Sequence, residues 1–466
     1  MDAHRSRQHE LTARAFVFTS ASALLALLAL ACGASETAPP KTPAAASAAA
    51  RVDAREVLPF RNDDYAGALA EAKKTGRPLF VDAWAPWCHS CMSMRAYVLT
   101  DPSLAPLAKD FVWLTVDTEK DDNAPFVSRF TNRVWPTLWV IDAAREAPLL
   151  RYEGTATAPE LVSLLTTVRS GVTEGGAAAA VAFLKANQAA AKGELADAEK
   201  GYREVLAAPD APDRARAVEA LTGLLSARKE HAGCTELAVT ESAKLPPGTS
   251  RVTVLAIGLS CAREAKREGD LRVLVAAAER AAADPDPRTM ADDRSALYEE
   301  LVETKHAQKD EAGARATART WATFLEGEAS RAPNKQARAV FDPHRLSAYL
   351  AADEPERAVP MLTESERDFP DDYNPPARLA RAFLAMKRLD DAQNAVRRAG
   401  NRVYGPRSLR VFLLAADIAK ERADVAGERA ALEQAVAHTA RSVLNENQKK
   451  LLGEVESRLR KLPAGR

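Results

Sequence analysis

Val81-Asp82-Ala83-Trp84-Ala85-Pro86-Trp87-Cys88-His89-Ser90-Cys91 is the stretch on which the fold turns. It opens inside a buried-type strand, Leu79 to Trp84, and the strand follows a helix that Asp63 and Asp64 cap and that Gly76 and Pro78 stop. Two cysteines two residues apart close a disulfide within one helical turn. The first sits at the helix N-terminus, where unpaired N–H groups and the helix dipole stabilise a thiolate. The thiolate is the attacking species in exchange, so the spacing makes Cys88 the nucleophile and Cys91, one turn in, the resolving residue. A protonated His89 adds positive potential beside Cys88. Alone, such a pair is also half a zinc site. A structural zinc needs four ligands, however, and the next cysteine is the distant Cys234. The strand directly before the pair selects redox chemistry. No metal is expected, and no cofactor beyond the Cys88–Cys91 disulfide.

Working outward, Phe111 to Val116 and Thr137 to Ile141 are apolar, partly β-branched runs. Leu149 to Tyr152 is a weaker fourth strand, and Pro159 to Arg169 has helical periodicity. The order helix, strand, helix, strand, helix, strand, strand, helix predicts an α/β sheet covered on both faces.

The run from Val81 to Cys91, with Trp135-Pro136-Thr137 following, closely resembles thioredoxins, and the likeness extends over residues 57–169. Lys73-Lys74-Thr75-Gly76-Arg77-Pro78 and Thr100-Asp101-Pro102 most resemble the C-terminal periplasmic domain of DsbD-type interchange proteins. The resemblance implies that Asp82 is the buried carboxylate assisting proton transfer at the resolving cysteine. It implies that Trp87 packs beside the active site, and that Pro136 is a cis-proline facing the disulfide, so that the Trp135 backbone pairs with an extended substrate. Three positions depart from the pattern. Trp135 is bulkier than the usual residue, Trp113 stands where the family's lysine faces the aspartate, and His89-Ser90 is neither Gly-Pro nor Pro-His. The redox poise therefore cannot be borrowed.

Arg5, Arg7 and Arg14 precede an uncharged, mostly apolar run from Ala15 to Ala31, the pattern of a secretory signal too short to span comfortably. Leu28-Ala29-Leu30-Ala31-Cys32 resembles a bacterial lipoprotein processing site, which makes Cys32 the lipidated residue, although Ala29 replaces the preferred leucine. Gly33 after it implies outer-membrane sorting; without lipidation the product is periplasmic or secreted. Residues 33–54 read as an Ala/Pro-rich tether, and the 18 residues from Gly33 to Ala50 reach only ~60 Å when stretched. The expected map is 1–32 signal and anchor, 33–54 tether, 55–172 thioredoxin-like domain, and 177–466 helical repeats, divided at the glycines of Ser170–Gly176.

The second block is Ala-, Leu-, Glu- and Arg-rich with helical periodicity. Asp353-Glu354-Pro355-Glu356-Arg357-Ala358 and Lys387-Arg388-Leu389-Asp390-Asp391-Ala392 place Ala358 and Ala392 34 residues apart, with a further echo at Gly193–Ala198. That period and its small alanines resemble tetratricopeptide (TPR) repeats. Cys234 and Cys261 fall on neighbouring helices, where a structural disulfide and two buried thiols are equally consistent. His231, His306, His344 and His438 lack metal spacing and read as helix-surface or packing residues.

Basic and acidic side chains number 64 each, and no long like-charge run occurs, which argues against a nucleic-acid partner. The expected protein is an α/β thioredoxin-like domain followed by an all-α TPR-like solenoid. Its expected activity is thiol–disulfide exchange, reduction or isomerisation before oxidation, on exported proteins with thiols or disulfides. A membrane or periplasmic electron donor would supply it, the lipid anchor would hold it at the membrane, and the repeat groove would hold a protein partner. The competing reading is an envelope scaffold whose thioredoxin-like module is redox-sensing or merely structural.

Overall fold

The computed structural model describes residues 57–463 except 173–177, 209, 212 and 441, with the backbone alone at 171 and 172. The expected signal segment, Cys32, the tether and most of the expected domain boundary lie outside the described residues.

The sheet domain runs β1 (Phe60–Asn62), α1 (Tyr65–Thr75), β2 (Leu79–Trp84), α2 (His89–Ser93), β3 (Val112–Asp117), α3 (Ala124–Arg129), β4 (Thr137–Asp142), β5 (Ala147–Glu153) and α4 (Ala158–Val172). Helix α1 starts where the Asp64 carboxylate accepts from the Gly67 N–H, and it ends where Gly76 takes a left-handed φ of 68°. The strand order is β1-β3-β2-β4-β5, with β1, β3 and β2 parallel and β4 and β5 antiparallel. Strands β2, β3 and β4 are apolar almost throughout because both faces of the sheet are covered. Phe80, Trp113, Leu138 and Val140 pack with Leu161, Leu164 and Val168 of α4 on one face. Leu79, Val81, Leu114 and Trp139 pack with Ala68, Ala72 and Phe126 on the other.

One strand escapes the sequence reading. β1 is three residues of mixed polarity, too short to show a period, and it is a strand because Phe60 aligns with Trp113 on the edge of β3 and meets Phe80 and Trp113 edge-on.

The helical domain is a run of antiparallel hairpins. The first four pair α5 (Ala178–Lys192) with α6 (Leu195–Leu206), α7 (Arg214–Ala227) with α8 (His231–Ser242), α9 (Thr249–Glu264) with α10 (Glu268–Ala283), and α11 (Ala291–Ala307) with α12 (Glu311–Arg331). After the short α13 (Lys335–Ala339) come α14 (Asp342–Ala351) with α15 (Ala358–Asp368), α16 (Asn374–Ala385) with α17 (Leu389–Gly400), and α18 (Ser408–Glu421) with α19 (Val425–Thr439). Helix α20 (Glu446–Lys461) follows, opened by an Asn445/Gln448 capping box. Each hairpin reverses through one residue of positive φ: Gly193, Lys229, Lys266, Lys309, Asp353, Lys387 and Ala423. Ala358 and Ala392 are fully buried, as helices in close contact require.

The two expected domains do not part cleanly near residue 172. One apolar core continues from Phe80, Trp113 and Leu164 into Phe183, Tyr202 and Leu225, and the described residues form one compact unit. The helical domain also addresses the sheet domain with the first turns of successive helices. Arg216 of α7 lies 3.4 Å from Glu160, Asp293 of α11 accepts from Thr155, and Asn374 of α16 donates to the Pro86 carbonyl.

Candidate active site

Strand β2 delivers Asp82 from below and ends at Trp84; the tight turn through Ala85 brings the chain to Cys88. Cys88 is the N-cap of α2 in an extended conformation, and its Sγ accepts from the Cys91 N–H at 3.0 Å. An N-cap sulfur at this position faces the free amides and positive end of the helix, which favours its thiolate. The Cys88 and Cys91 sulfurs are bonded, with Cα atoms 5.3 Å apart. Cys88 is 3% exposed and Cys91 fully buried. Helix α2 then passes into a π-helical turn, Met94–Val98, a distortion common at functional sites.

Trp135-Pro136 is a cis peptide opposite the motif. Ser90 Oγ lies 3.5 Å from Cys88 Sγ and donates to the Trp135 carbonyl at 3.3 Å, tying the cysteine turn to the proline loop. Trp84, Trp87 and Trp135 wall the cysteines, with the Trp87 and Trp135 rings 5.3 Å apart. The bulk of Trp135 is held in place by its indole N–H, which donates to Thr118 Oγ1 at 2.8 Å. Asp82, Trp87, Cys88, His89, Ser90, Cys91, Trp135 and Pro136 are thus brought to one end of the sheet.

Asp82 is completely buried, and neither of its oxygens has a hydrogen-bond partner among the described residues. Burial pushes its pKa up to about 6, while the Arg95 charge 3.8 Å away pulls in the opposite direction. Trp113 is in register with Phe80 and Asp82 with Thr115, so the tryptophan sits diagonally from the carboxylate on the same face of the sheet. The cation is Arg95, one turn beyond Cys91, whose guanidinium also lies 4.1 Å over the Trp84 ring.

Several site residues had no signal in the sequence. Glu119, just after β3, is buried; it accepts from the Trp87 indole at 2.8 Å and from the Arg407 backbone N–H at 2.6 Å. Burial raises its pKa to about 7. Arg407 lies 4.8 Å over the Trp87 ring, and Tyr404 donates to Asp117 at 2.7 Å. His89 does not point freely at Cys88: its Nδ1 is 3.1 Å from both oxygens of Asp292, and His344 Nε2 is 3.0 Å from Oδ1 of the same carboxylate. His344, read from sequence as an ordinary packing or surface residue, is buried with its ring 3.9 Å from that of His89. Burial works against a charge on His89, but the Asp292 carboxylate outweighs it and raises the pKa. His231, His306 and His438 stay apart from this cluster.

Cys234 and Cys261 lie away from the site, in the core shared by α8 and α9, with their sulfurs at bonding distance, 2.07 Å. No helix among the described residues is long and apolar enough to cross a membrane.

Residues 61–143 match the thioredoxin-like family, and residues 349–409 match the tetratricopeptide repeat family. The chain joins a thioredoxin-like domain to tetratricopeptide repeats. A thiol:disulfide interchange protein DsbD from Ralstonia nicotianae is 34% identical over 110 residues, 22% of this chain and 18% of that protein. One of the same name from Pseudoalteromonas atlantica is 28% identical over 82 residues, 17% of this chain and 14% of that protein. The aligned part therefore spans less than a fifth of these relatives. A tetratricopeptide repeat protein from Parabacteroides merdae superposes with a TM-score of 0.37 and 11% identity, over 60% of this chain and 98% of that one. The thioredoxin-like domain carries the cysteine pair, and the repeats supply Asp292, His344 and Arg407 around it.

Proposed function

We propose that this protein is a thiol–disulfide oxidoreductase, a reductase or isomerase of exported proteins, whose nucleophile is Cys88. The carrying observation is the Cys88–Cys91 pair at the start of α2, with the cis Trp135-Pro136 peptide opposite and an unpaired buried carboxyl, Asp82, behind it. Reduced Cys88 attacks a client disulfide, forming a mixed disulfide and releasing one client thiolate. Cys91 then attacks Cys88 Sγ and expels the second client thiol, leaving Cys88–Cys91 oxidised. Asp82, with a pKa near the working pH, takes the Cys91 proton as that thiol becomes a nucleophile. An electron donor in the membrane or periplasm must then reduce the pair.

The repeats bind protein, and much of the face made by their helix first turns is engaged with the thioredoxin-like domain itself. A groove of about 300 Å³ runs from Asn132 and Trp135 to Val443, Asn445 and Lys449, and a client segment enters there. A signal ending at a lipidated Cys32 and a short tether would hold this unit at the membrane, outer-membrane sorting being the reading of Gly33.

In the test, Cys91→Ser traps mixed disulfides in cells and the wild type reduces insulin. The reading is lost if neither occurs. The low exposure of Cys88 beneath the repeats supports a second reading, a scaffold in which the pair senses redox state. A phenotype that survives Cys88→Ser combined with Cys91→Ser would favour it.

A further inference from the structure

We propose that His89, Asp292 and His344 form a binding site for one divalent transition cation of the zinc class, which fastens the redox helix α2 to the repeat helices α11 and α14. Their candidate donor atoms all lie within 4.8 Å of one another. Zinc binds imidazole nitrogen at ~2.0–2.1 Å and carboxylate oxygen at ~2.0–2.2 Å, so ligands subtending 90–110° stand ~2.9–3.5 Å apart. The nitrogen–oxygen separations here, 3.0 and 3.1 Å, fall within that bracket.

The electrostatics favour it as well. Asp292 is buried, and a buried carboxylate requires positive charge close by. Two imidazoles 3.9 Å apart cannot both carry a proton cheaply. A metal ion takes the place of the shared proton by binding the neutral form of both rings. Among the charges facing His89, Glu299 attracts a cation and Arg378 opposes it. The His89 side chain remains 35% exposed, which gives a cation its entry and leaves a coordination position for water. Two nitrogens and a carboxylate select zinc, cobalt, nickel or copper over calcium and magnesium.

The three ligands come from sequence positions 89, 292 and 344, so the site exists only when the two domains are docked. The three ligands meet in this geometry whether or not the cysteine pair performs exchange.

The test uses the purified full chain with both disulfides oxidised and Cys32 alkylated, so that no thiol competes, stripped with chelator and titrated with Co²⁺ and then Zn²⁺. One equivalent should bind, with visible Co²⁺ bands that Zn²⁺ displaces and a Zn²⁺-dependent rise in melting temperature. His344→Ala and, separately, His89→Ala should each weaken binding at least ~tenfold, since even outer-shell partners are worth that much. His89 is partly exposed, so its variant remains informative if His344→Ala misfolds. Cys88→Ser with Cys91→Ser should retain the site. The proposal is overturned if the oxidised wild type takes up neither ion, or if both histidine variants bind like the wild type.

Discussion

Replacing Asp82 with asparagine should make the protein more stable at neutral pH and slower in exchange. The folded-state pKa of Asp82 is about 6, because burial disfavours the charge and Arg95, 3.8 Å away, recovers only part of the cost. In the unfolded chain the same carboxyl titrates near ~3.9. A raised folded pKa means that the folded protein keeps this proton where the unfolded chain has lost it. Stability is therefore undiminished below pH ~4, declines between about 4 and 6, and above that carries a constant penalty. A gap of about two pH units at roughly 1.4 kcal/mol each makes that penalty about 3 kcal/mol. Asparagine keeps the shape without the charge, and its unpartnered amide returns ~1 kcal/mol of the gain. At an unfolding entropy of ~2.1 cal/mol/K per residue, a net ~2 kcal/mol in a unit of ~400 residues is a rise of about 2 °C. Calorimetric melts of the oxidised wild type and variant at pH 4 and pH 7.5 test this. The variant should lead by that margin at pH 7.5 and not at pH 4, while its insulin reduction slows. An equal lead at both pH values, or no lead at pH 7.5, would refute the assignment of an unpaired, desolvated carboxyl.

Gly405→Ala should loosen the repeats from the redox face, because Gly405 has φ 61° and an added Cβ would lie 2.1 Å from the Glu119 carbonyl oxygen. Faster amide exchange across residues 117–119 and faster alkylation of reduced Cys88 are the expected readouts, and unchanged rates would count against a tight junction. Glu119→Gln should flatten the pH dependence of stability: burial raises the Glu119 pKa to about 7, so the wild type loses stability as pH climbs from about 4.5 to 7, by roughly 3 kcal/mol. Denaturation at pH 5 and pH 8 would show the same slope in both proteins if that charge is already screened. Cys234→Ala with Cys261→Ala should cost about 3 kcal/mol through loop closure over 27 residues, and peptide mapping without reductant should recover the linked pair; two free thiols would end the idea.

The strand–turn–helix with its cysteine pair was legible in the sequence because its information is local. A buried run, a break and two cysteines at one-turn spacing encode the Cys88 N-cap, and Asp64, Gly76 and Pro136 mark turns by their own backbone chemistry. The 34-residue spacing of Ala358 and Ala392 was readable for the same reason. The hairpins between them and α5 were not, because three of their reversals pass through lysine (Lys229, Lys266 and Lys309), which carries no turn signature.

What lay beyond the sequence is the junction. His89 and the lone His344 acquire meaning only when Asp292, 203 residues from the first and 52 from the second, is folded between them. Arg95 became the counter-charge of Asp82 because position 113 holds an uncharged tryptophan and a cation one turn beyond Cys91 reaches the carboxylate through space. Local spacing determined the chemistry of Cys88 and Cys91. The packing of helix first turns from a distant part of the chain decided how exposed, how charged and how tightly held that chemistry is, since buried charges find their partners through space and leave no period in the sequence.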